Sequence, residues 1–85
     1  MDWTGLTEVV LAAVRAAHRA GLPHVAGELY AVSPVQSDAD FAVLADRVLT
    51  VKTLLRLRPP KPAQWRKCAA EFDNLYKEVA LRAQR

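Results

Sequence analysis

The sequence predicts an all-α protein, a small four-helix bundle built as an αα-hairpin followed by two longer helices. Three observations predict it. Apolar residues recur at spacings of three and four through four separate stretches, as one face of a helix requires. The apolar set is mostly Ala, Val and Leu, with only 7% aromatics. The five prolines fall at the ends of those stretches and not within them. With 85 residues, 52% of them hydrophobic, the chain is long enough for one core and one domain, though near the size at which a single core leaves little stability in hand.

The first helix is expected from about Gly5 to Ala20. Asp2 or Thr4 can cap it, Glu8 suits its first turn, and Arg15, His18 and Arg19 suit its last turns. Leu6, Val9, Val10, Ala13, Val14 and Ala17 make one apolar face whose alanines admit a close neighbour. Gly21 ends this helix, and Pro23 is suited to the first position of a second one through about Val32, so the two form a tight hairpin. Val25, Leu29 and Val32 should face the core, with Tyr30 at its edge.

The third helix, about 38–57, is the organising element. Ser37 caps it, Asp38 and Asp40 fall in its first turn and Arg56 and Arg58 in its last, again matching the dipole. It is apolar on two faces. Phe41, Leu44, Val48, Val51 and Leu55 form one stripe, while Val43, Thr50, Leu54 and Leu57 lie roughly opposite. A surface helix needs one stripe, so the second must be covered either by this chain or by a partner.

Pro59-Pro60-Lys61-Pro62 ends that helix and sets a stiff connection to the last, about 63–84. There Trp65, Cys68, Ala69, Phe72, Tyr76, Val79 and Ala83 recur at core spacing, and Trp65 and Phe72 are expected to be the largest buried groups.

Charge is distributed unevenly. Residues 1–46 hold two arginines against six acids, whereas residues 47–85 hold ten basic residues against three acids. From Arg47 to Lys67 there are seven basic residues and no acid. With Trp65 to stack on a base, Arg47, Lys52, Arg56, Arg58, Lys61, Arg66 and Lys67 are candidate contacts to the phosphates of nucleic acid. The alternative is that the acidic half neutralises the basic half within one bundle and that Trp65 is buried. A weaker form of the nucleic-acid reading is a helix-turn-helix over 26–44, but its second helix would offer Asp38 and Asp40 to the phosphates. The spacing Arg56-x-x-Pro59-x-x-Pro62 resembles peptides recognised by SH3 domains, yet it joins two periodic helices and is read as a linker.

Chemistry is sparse, and no enzyme is expected. His18, His24 and Glu28 supply no third strong metal ligand at fixed spacing, and Cys68 has no histidine near it in sequence to act as base. No Gly-rich phosphate loop and no spaced carboxylate set is present, so neither cofactor nor metal is expected. The single cysteine excludes an internal disulfide and suits a reducing cytoplasm. No uncharged run is long enough to span a bilayer, and the N-terminus does not read as a secretory leader, so a soluble cytoplasmic protein is expected. The reading that follows is a non-enzymatic protein-interaction or assembly module, self-associating as a homodimer or larger through Val43, Thr50, Leu54 and Leu57.

Overall fold

A computed structural model describes residues Asp2 to Gln84. The protein is all-α, but it has five helices among the described residues, not four: α1 Trp3–Arg19, α2 Pro23–Tyr30, α3 Asp38–Leu57, α4 Pro62–Arg66 and α5 Ala69–Ala83.

α1 starts under the Asp2 cap, whose carboxylate accepts from the Thr4 N–H at 2.9 Å. It ends in a Schellman motif. Gly21 takes φ +75°, its N–H donates to the His18 carbonyl, and the Leu22 N–H reaches the Ala17 carbonyl at 2.8 Å. The chain reverses there and Pro23 opens α2, which packs on α1 as a hairpin. α2 ends at Tyr30, shorter than the periodicity suggests, because the turn before Pro34 takes over; Val32 is half-buried and Tyr30 is exposed.

The loop to α3 is held from below. The Thr7 hydroxyl on α1 accepts from the Val35 N–H at 3.0 Å and donates to its carbonyl at 3.2 Å, and the Val35 side chain is fully buried. Ser37 then caps α3 by accepting from the Asp40 N–H, while the Asp40 carboxylate accepts from the Gln36 N–H.

The expected last helix over 63–84 is broken at Lys67 and Cys68. Cys68 has φ −135° and lies outside the helical region. The Lys67 and Cys68 N–H groups donate three residues back, to the Gln64 and Trp65 carbonyls. No glycine or proline marks the break. Tertiary partners stabilise it instead: the Lys67 carbonyl, freed from helical bonding, accepts from the Arg19 guanidinium at 3.2 Å. The Gln64 amide donates to the Ala20 carbonyl at 3.2 Å and accepts from the Lys61 N–H at 3.0 Å, joining α4 to the end of α1.

α1 packs against both α2 and α5, and α3 packs against α2 while also touching α1 through Phe41 on Trp3 and α5 through Lys52 on Tyr76. One core cluster runs through α1, α2, α3 and α5, with Phe72, Leu6, Leu29, Leu44 and Leu75 as its largest fully buried side chains. Trp65 is not among them. It is half-buried and rests on Phe72 with ring centroids 5.5 Å apart. α4 contributes no fully buried residue.

Candidate interaction surfaces

α3 presents two very different faces. Leu44, Val48 and Val51 are buried towards the rest of the chain. On the far side Val43 is 51% and Leu57 70% exposed, Thr50 is exposed, and Leu54 is half-buried. The sequence-predicted second stripe is therefore brought together on one face and left largely uncovered by its own chain. The Thr50 hydroxyl donates to the Asp46 carbonyl at 3.4 Å and the Thr53 hydroxyl to the Leu49 carbonyl at 3.1 Å. Both threonines thereby satisfy a polar atom against their own helix. Beside Val43 the surface dips into a hollow of about 170 Å³, walled by Ala31, Val32, Ser33 and Pro34 of the loop before α3 and by Asp40.

Charge runs along α3 from acid to base. Asp38, Asp40 and Asp46 lie in its first half, and Lys52 and Arg56 in its second, with Arg58 at the cap. Arg47 is the exception. It is drawn inwards to α2, where its guanidinium meets the Glu28 carboxylate at 2.8 Å, so it is less free than its place in the basic run suggests. Arg56, Arg58, Lys61, Arg66 and Lys67 are exposed and make no ion pair among the described residues. Trp65 does not stand clear of the surface with them, because Phe72 takes up part of its ring. The segment connecting α2 and α3 spans residues 31–37, longer than the turn of roughly three or four residues in a helix-turn-helix.

A second surface lies where α3, the proline turn, α4 and α5 meet. This open groove of about 570 Å³ has Leu55, Trp65, Tyr76 and the prolines Pro59, Pro60 and Pro62 among its walls. Among the described residues, Lys52 and Arg56 are the charged ones that line it. The Lys52 ammonium sits 4.8 Å from the centre of the Tyr76 ring, a cation–π contact. Burial pushes the Tyr76 phenol up to about 12, with the charges of Asp73 and Cys68 adding to the effect. From sequence alone this segment reads as a linker with basic ends. The missed signal was the set Leu55, Trp65 and Tyr76, apolar residues on either side of the prolines.

Cys68 is buried, and burial raises its thiol pKa, with Glu71 adding and Arg19 opposing. No group of three or more metal-ligating side chains occurs among the described residues, and no helix there is long and apolar enough to cross a membrane. Comparisons with protein-family models, curated proteins and solved structures find no match to this chain.

Proposed function

We propose that the protein is a non-enzymatic assembly module that self-associates through the outer face of α3. The observation that carries this reading is the uncovered stripe of Val43, Thr50 and Leu57 on a helix whose opposite face is buried in the core.

Two copies related by a two-fold axis near Thr50 would pair their α3 helices antiparallel. Val43 of one copy then meets Leu57 of the other. The size of the face limits the strength of the contact. A helix of 20 residues offers a strip ~30 Å by ~10 Å, or roughly 300 Å² in projection, well below the ~800 Å² per partner of a standard interface. The dimer is accordingly a weak, concentration-dependent one.

Disulfide trapping tests the geometry. In a Cys68→Ser background, Thr50→Cys should form a covalent dimer on mild oxidation, because the two-fold axis places each new thiol beside its own copy. Asp38→Cys, at the end of the helix, should not. Equal cross-linking at both positions, or none at Thr50→Cys, would refute the proposed axis.

A second reading, phosphate contact by the basic span, is favoured by the exposed Arg56, Arg58, Lys61, Arg66 and Lys67, which make no ion pair among the described residues. It lacks a fully free aromatic platform, since Trp65 leans on Phe72. Binding of single-stranded oligonucleotide that weakens steeply with added salt would support it, and salt-insensitive binding or none at low ionic strength would exclude it.

A further inference from the structure

We propose that the groove between the C-terminal end of α3, the proline turn and α5 docks an acidic segment of another protein, one that inserts a bulky apolar side chain between Leu55, Trp65 and Tyr76. This surface is separate from the self-association face. Lys52 and Arg56 point to the groove, while Val43, Thr50 and Leu57 lie round the helix from them.

The chemistry of the walls sets the class of ligand. Nearly all of the groove is carbon, and the charges that line it are both positive. An apolar anchor without charge would fill the groove but gain nothing from Lys52 and Arg56. An acidic chain without an anchor would gain only a screened surface attraction. A segment with both uses the whole site, the anchor excluding water from the neighbouring ion pairs.

The walls are also stiff. Three prolines have fixed φ, Trp65 is held against Phe72, and Tyr76 is held both by Phe72 and by the Lys52 ammonium. Little ordering of the receptor is needed on binding. The groove is open along its length, which suits a peptide passing through it better than an enclosed small molecule.

The same contacts argue against nucleic acid as the occupant. Single strands bind by stacking successive bases on free aromatic faces. Here the Tyr76 face carries Lys52 and the Trp65 ring packs on Phe72, so no adjacent pair of free faces remains.

The test is selection of a random peptide library on the intact chain, in parallel with the Lys52→Glu/Arg56→Glu variant. Enriched sequences should carry an aromatic or large aliphatic residue flanked by two or more Asp or Glu. A synthetic peptide from that set should change the Trp65 emission of a Trp3→Phe variant in a saturable way. The double charge reversal should weaken it by about tenfold or more while helical circular dichroism and molecular mass stay unchanged. The milder Lys52→Gln/Arg56→Gln pair should fall between, which guards against a folding defect in the reversal.

Neutral or basic enriched sequences, or peptides that do not distinguish the chain from its variants, would overturn the proposal. So would oligothymidylate displacing the peptide at low concentration, which would assign the groove to nucleic acid. A change of oligomeric mass in the double variant would assign it to a second copy of this chain.

Discussion

Leu57→Gln isolates the partner-facing role of α3 from its role in the fold. Leu57 is 70% exposed in the last turn of the helix, and glutamine keeps helix propensity without placing a charge near the helix C-terminus. Full burial of a leucine contributes ~2 kcal/mol, so the exposed fraction leaves ~1.4 kcal/mol available to a partner. A two-fold dimer contains the site twice, and the substitution should remove ~3 kcal/mol, a dissociation constant raised roughly 100-fold. The part already covered within the chain is worth only ~0.6 kcal/mol, a fall in Tm of about 2–5 °C. Sedimentation equilibrium over a concentration series gives the first number, and a thermal melt of dilute protein gives the second. A dissociation constant within about threefold of the parent's, or a melt lowered by more than about 10 °C, would refute the reasoning, because Leu57 would then belong to the chain's own core.

Three further outcomes follow from local geometry. Gln64→Ala removes the bonds to the Ala20 carbonyl and the Lys61 N–H, and should cost about 1–3 kcal/mol in a denaturant titration; a loss below about 0.5 kcal/mol would mean that α4 is not tied to α1. Tyr76 holds its proton more tightly folded than unfolded, so its contribution to stability is complete below the ordinary tyrosine range near 10 and is lost as pH rises towards about 12. Tyrosinate absorbance should show one late-ionising phenol that Tyr76→Phe abolishes. Cys68, buried and with a raised pKa, should react with an aromatic disulfide reagent only as fast as the chain opens, and rapid reaction in native buffer would contradict its placement.

Much of the fold is legible in the sequence where local chemistry and periodicity agree. Ser37, the early aspartates and the proline stop bound α3 as Asp38–Leu57, and Gly21 before Pro23 marks the hairpin. The break after Arg66 is not legible, because its cause is tertiary. A tight turn at Lys67 and Cys68 keeps Trp65, Cys68 and Phe72 near helical register, so the pattern reads as continuous while Arg19 and Gln64, distant in sequence, hold the kink. Val35 escaped for a related reason. It sits in a proline loop with no period of its own, and Thr7 fixes it from another helix.

The candidate surfaces divide along the same line. The outer stripe of α3 follows from helical arithmetic and could be written down residue by residue. Arg47 could not be separated from its basic neighbours without knowing that α2 brings Glu28 to it. The groove needed the kink as well, since only a separate α4 sets Trp65 and the prolines opposite Leu55 and Tyr76.

The central claim, that α3 lends its outer face to a second copy, is tested most directly by light scattering on the eluting protein over a wide concentration range, at low and high salt. The mass should rise from 9.4 kDa towards twice that value, and the dimer should persist at high salt, because the contacts on the outer stripe are apolar. A mass that stays at 9.4 kDa up to millimolar chain would contradict it.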